Sequence, residues 1–124
     1  MSETNDTFKE ELAQIDERIV SLKNDIELGA ALERLHENED FIKVFVDNYF
    51  EKEAKRIFEL LTEPTALKRE QLENLNDMMA TIRYFKKYIQ TLLINANMAP
   101  DQIEEEEMYR KEITSQNSLM KIEE

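Results

Sequence analysis

From Phe8 onward the apolar positions fall at Phe8, Leu12, Ile15, Ile19, Leu22 and Ile26, in alternating steps of four and three residues. That spacing puts a narrow stripe on one side of a helix, the seam by which one helix lies along another. Asp6 or Thr7 can cap this helix, which is expected to run to about His36. Gly29 takes the next seam position, where the register is expected to be lost. Leu28, Leu32 and Leu35 then make a differently facing stripe. The polar run His36-Glu37-Asn38-Glu39-Asp40 marks a break, with Asn38 or Asp40 as the next N-cap.

A second helix follows to about Leu61, its stripe expected at Phe41, Val44, Phe45, Tyr49, Phe50, Ala54, Ile57, Phe58 and Leu61. Pro64 ends it, because proline restricts the preceding residue and donates no backbone hydrogen bond. A third helix, roughly 66–97, carries Leu72, Leu75, Met79, Ile82, Phe85, Ile89, Leu93 and Ala96 on one face. Pro100 is read as the first residue of a fourth helix, with Asp101 where the helix dipole favours negative charge. After Ile113 the pattern fades, and Thr114–Ser118 reads as a frayed linker before the segment Leu119-Met120-Lys121-Ile122.

These elements predict an all-α fold, an antiparallel helical hairpin or bundle with an N-terminal coiled-coil arm and an acidic C-terminal helix. The expected organisation is an arm over 1–36, a helical-hairpin core over 37–98, and an acidic helix with a frayed tail over 99–124. Eight of the ten aromatic residues lie between Phe41 and Tyr88, which places the densest core in the middle segment. Each buried Phe contributes about 1.5–3 kcal/mol, so that hairpin is expected to be the stable unit.

Composition narrows the function classes. One Gly and two Pro in 124 residues fit a helical chain, and the lack of Cys excludes a disulfide scaffold or thiolate metal site. No apolar run approaches the ~20 residues of a membrane span. The acidic start MSETNDTFKEE has no apolar core of a signal peptide, so a cytosolic location is expected. The net charge of -12 is uneven: residues 1–35 hold nine acids and four bases, 36–100 eleven and nine, and 101–124 eight and three. Acidic ends argue against a nucleic-acid backbone as ligand and suit a basic protein surface or imitation of a polyanion.

The charges flanking the arm seam bear on its partner. A parallel, in-register homodimer would set Glu11 against Asp16 and Arg18 against Lys23, both repulsive. Antiparallel pairing, packing on the chain's own domain, or a different protein are the arrangements left. Candidate chemistry is sparse. Glu33 and His36 have the Glu-x-x-His spacing of di-iron bundles, but such sites need two copies and His36 is the only histidine. No nucleophile–base pair or phosphate loop is present, so no catalytic residue, cofactor or metal is expected. Glu104, Glu105, Glu106 and Glu107 read as a solvated acidic face, the counterpart of a basic partner. Arg83, Lys86 and Lys87 alternate with Tyr84 and Tyr88, a pattern seen at nucleic-acid contacts, but Tyr84 and Tyr88 are read as packing at the core edge.

The segments Asp40-Phe41-Ile42-Lys43-Val44 and Tyr49-Phe50-Glu51-Lys52-Glu53-Ala54-Lys55-Arg56-Ile57 resemble a family of small acidic helical proteins of tailed bacteriophages. Leu32 and Leu35 precede them as a leucine pair, and Pro64 and Arg83-Tyr84-Phe85 sit where the family's later features fall. The resemblance covers about residues 28–100, and Asn48 stands where a Gly is usual, which fits uninterrupted helix. It implies a viral origin and an accessory or virion-assembly role, in the host cytoplasm or on the particle. The expected partner is then a protein, either a second copy in a homo-oligomer or a phage or host protein with a basic surface. The arm seam and Glu104–Glu107 would form the contact. The acidic stretch 101–124 departs from scaffolding proteins, which usually offer the shell a basic C-terminal segment. An acidic inhibitor of a host enzyme or defence protein, acting as a nucleic-acid mimic, is the alternative.

Overall fold

The computed structural model describes residues 2–63 and 67–123, with side chains over 5–63 and 67–121. The described residues are helical almost throughout: α1 (Ser2–Glu37), a short α2 (Glu39–Phe41), a π-helical stretch (Ile42–Glu53), α3 (Ala54–Thr62) and a long α4 (Arg69–Glu123). The chain divides into two compact units, one of residues 1–30 with 94–124 and one of residues 31–93. The arm and the acidic C-terminal segment, expected as separate ends flanking a core, therefore belong to one unit. The boundaries expected at residues 36 and 98 fall at 30 and 93.

In the first unit, α1 and the C-terminal part of α4 form an antiparallel helical hairpin. Gly29 meets Ala96, Arg18 meets Glu106, and Asp16 meets Arg110, so positions on one helix rise as those on the other fall. Ile15, Ile19 and Ile113 are the buried centre, with Phe8, Leu12 and Ile103 packed against them. The seam continues through Gly29 instead of losing register there. Gly29 is buried, and a Cβ built on it would lie 2.3 Å from the Ala96 Cβ. Glycine is thus the residue that lets the two helices touch, while Ile26, one turn earlier, sits at the exposed margin.

Pro100 does not start a helix; it lies inside α4. A mid-helix proline costs about 3 kcal/mol, from a lost hydrogen bond and a ring clash. Packing on both sides offsets that cost, with Ala96 and the fully buried Ala99 before Pro100 and Ile103 and Ile113 after it. The Pro100 ring itself faces outward. Thr114–Ser118 is likewise helix and not a frayed linker, with the Thr114 hydroxyl bonded back to the Arg110 carbonyl at 2.7 Å.

In the second unit Asn38, not Asp40, is the cap of the next helix, its Oδ1 accepting from the backbone N–H of Asp40 and Phe41 at 3.0 and 3.1 Å. Half-buried residues then recur in pairs every fourth position: Phe41-Ile42, Phe45-Val46, Tyr49-Phe50 and Glu53-Ala54. An α-helix of 3.6 residues per turn would rotate such pairs steadily away from the core. The wider π winding of Ile42–Glu53 holds them inward. The expected stripe is wrong at two positions: Val44 falls between these inward pairs, and Phe58 lies beyond the π stretch in α3, where Ile57 takes the buried position. Val44 is 52% exposed and Phe58 60% exposed.

α3 ends at Thr62, with Glu63 extended (ψ 142°) as suits a residue before proline; the turn expected at Pro64 lies outside the described residues. α4 starts with half of a capping box, the Gln71 side chain accepting from the Lys68 N–H at 3.0 Å. Phe85 then packs among Phe45, Tyr49 and Phe50, with ring centroids 5.8, 6.0 and 5.4 Å away. Ile57 and Ile82 are buried in this unit. The aromatic hairpin is present as expected, but burial is not concentrated there. The arm and acidic helix, expected to have fewer anchors, hold Ile15, Ile19, Ala99 and Ile113 in their own core.

Candidate interaction surface

The α1 seam residues Phe8, Leu12, Ile15, Ile19 and Leu22 are at least half-buried in the first unit, and Ile26 sits at its edge. Packing on the chain's own domain, one of the arrangements left open by the charge pattern, is the one the structure adopts. The facing seam on α4 runs through Ala96, Ala99, Ile103, Glu106, Arg110, Ile113 and Asn117, again in threes and fours. Three of these inward positions are polar, which hid the stripe from a search for apolar periodicity. The polar ends of Glu106 and Arg110 reach outward to charges flanking the α1 seam.

Arg18 donates to both Glu106 carboxylate oxygens at 2.8 and 3.0 Å, a bidentate pair across the hairpin. That bond, with the charge of Glu106, raises the Arg18 pKa above its ordinary value. Arg110 pairs with Asp16 across the hairpin and with Glu107 on its own helix at 3.3 Å. Asp16 and Arg18 are the flanking residues that a parallel homodimer would have set against like charges.

The expected acidic face is thereby split. Glu106 lies on the seam and Glu107 beside it; both are half-buried, Glu106 paired with Arg18 and Glu107 with Arg110. Glu104 and Glu105 point outward and hold no ion pair among the described residues. The larger consequence is the gathering of charge. Residues 1–30 and 94–124 carry sixteen acids and six bases, a net -10, leaving -2 for residues 31–93. Sequence position kept these acids at opposite ends of the chain, and the hairpin brings them into one unit.

Elsewhere the described residues offer little for chemistry. No cluster of three or more His, Cys, Asp or Glu could hold a metal among them. The Nδ1 of His36 lies 2.9 Å from the Leu32 carbonyl and its ring stands edge-on to Phe41, so it ties the end of α1 to the next helix. Glu53 binds Arg56, and that hydrogen bond holds the Glu53 carboxyl below the usual carboxylate range. No helix among the described residues is long and apolar enough to cross a membrane.

Much apolar surface is left uncovered. Tyr84 and Tyr88, expected at the core edge, are 62% and 60% exposed. Met108 is 65% exposed on the outer side of the hairpin. No protein family model, curated protein or solved structure matches the chain.

Proposed function

We propose that the protein is non-enzymatic and acts by protein–protein contact in virion assembly or structure of a tailed bacteriophage. The observation that carries the contact reading is the joining of the two acidic ends into one helical hairpin of net charge -10. Such a unit attracts a basic partner surface and repels another copy of itself. The uncovered apolar surface supports the same reading, because partners bury about 800 Å² each in a standard interface. The phage assignment rests on the resemblance of residues 28–100. It is tested by quantitative mass spectrometry of purified particles and procapsids from producing cells. A constant copy number per particle is expected; absence from both contradicts the assembly role.

The same charge favours a second reading, an acidic inhibitor that occupies the basic site of a host enzyme or defence protein. Glu106 is tied to Arg18 across the hairpin and Glu107 to Arg110 on its own helix, so the variant that tests it is Glu104→Gln with Glu105→Gln. An inhibitor complex should be salt-sensitive and weakened by that double change. A complex indifferent to both excludes a charge-based mimic.

A further inference from the structure

Two surfaces of α4 are complementary. In residues 31–93 the exposed side chains Arg83, Tyr84, Lys87 and Tyr88 occupy adjacent rows of one helix face. The Arg83 guanidinium lies 5.5 Å from the centroid of the Tyr84 ring. No acid occurs between Met78 and Pro100, in a chain with 28 Asp and Glu. Exposed tyrosine beside arginine is the composition of interface hot spots, since both bury large area with few rotors or a rigid charged fork. Lys86 belongs to a different face and lies over the Phe50 ring.

In the hairpin, Asp101, Glu105, Met108 and Glu112 are all exposed and recur in steps of four, three and four along the outer side of α4. None of them is a seam position, although Glu105 also lines the groove beside Arg18 and Leu22, and none holds an ion pair among the described residues. One surface offers two cations around two tyrosines, and the other offers three carboxylates around a methionine. Sulfur against an aromatic ring is itself favourable.

We propose that the Arg83–Tyr88 face docks on the outer acidic face of the hairpin in a second copy of this chain. The contact is heterologous, head to tail, because each copy presents one basic-aromatic face and one acidic face. Hairpin against hairpin is excluded by the -10 that each carries. This deepens the contact reading above by naming a partner for one face, and it fails separately, since particle incorporation is measured on its own.

The test is light scattering after size exclusion on the full chain. In about 20 mM salt the mass should exceed one chain and rise with concentration; in about 500 mM salt, where screening is short-ranged, it should return to one chain. Arg83→Glu with Lys87→Glu should weaken association at least about tenfold, as should Glu105→Lys with Glu112→Lys. All four positions are exposed, and circular dichroism checks that each variant stays helical. Tyr84→Ser with Tyr88→Ser tests the apolar part without changing charge and should weaken association as well. The decisive step is mixing. The two charge variants, each monomeric alone, should form a one-to-one pair, because each keeps the face the other lost. A monomeric wild type in low salt overturns the proposal, as do association that neither charge pair affects and failure of the mixed variants to pair. Binding of a single-stranded oligonucleotide that is lost in Arg83→Glu with Lys87→Glu would assign the face to nucleic acid and overturn it too.

Discussion

Replacing Gly29 by Ala sets two effects of similar size against each other, and their balance depends on a single contact. Within a helix, Ala is favoured over Gly by about 1 kcal/mol because Gly loses more backbone entropy. Against this, the new Cβ would stand 2.3 Å from the Ala96 Cβ, where carbon atoms in contact prefer about 3.5–4.0 Å. Ala96 has no rotamer to yield, so the helices must separate, and overpacking of this kind costs about 1–3 kcal/mol. Gly29→Ala alone should therefore leave stability unchanged or lower it by up to about 2 kcal/mol. In an Ala96→Gly background the clash is absent, and the same change should stabilise by about 1 kcal/mol. The coupling between the two sites, about 1–3 kcal/mol, is read from urea unfolding of the four chains followed by circular dichroism. If Gly29→Ala stabilises equally in both backgrounds, the helices do not meet at Gly29 and the antiparallel register is wrong.

Three other changes probe the same architecture. Ile15→Ala removes a fully buried side chain and should cost about 2–5 kcal/mol, whereas Val20→Ala, on the solvent side of α1, should stay within about 0.5 kcal/mol; equal costs would contradict the seam. Pro100→Ala restores a backbone donor at an exposed position and should stabilise by about 1–3 kcal/mol in the same assay; a loss would show that the packing around Ala99 relies on the ring. The Glu53 carboxyl is held low by Arg56, so the pair stabilises above the ordinary carboxyl value of 4.5 and loses its effect as pH falls through the lower folded value. Wild type should thus exceed Glu53→Gln in stability near about pH 7, and the gap should close as pH falls below the lowered carboxyl value; a gap that does not narrow in acid would refute the pairing.

The α1 seam was legible because every position from Phe8 to Ile26 is apolar. Its partner was not, because Glu106, Arg110 and Asn117 occupy inward positions of the facing stripe, and hydrophobic periodicity does not register a buried stem with a charged tip. Gly29 and Pro100 misled for a related reason. Local propensity reads one as the loss of a pattern and the other as a helix start, while tertiary packing makes Gly29 the closest approach and carries α4 through Pro100. The cap at Asn38 was legible because it is a local hydrogen-bonding device. Val44 was misplaced because a 3.6-residue period was applied to a stretch whose half-buried pairs recur every four, and Phe58 because the α winding of α3 leaves Ile57 as the inward residue there. For the candidate surface, the run Glu104–Glu107 was visible as charge. Its division into inward and outward carboxylates depends on which helix faces which, and that is a long-range fact.

The central claim is that the N-terminal seam folds onto the chain's own C-terminal segment. Ser21 and Gln102 line one groove of the hairpin, and the chain has no native cysteine to interfere with labelling. Spin labels on Ser21→Cys and Gln102→Cys, measured by pulsed electron resonance in an excess of unlabelled chain, test it directly. Helices in contact lie about 8–10 Å apart, so a short, narrow label-to-label distance is expected, unchanged by dilution with unlabelled protein. A distance that is long and broad, or a short one that vanishes on dilution, would mean that the seam is buried against another chain or left open.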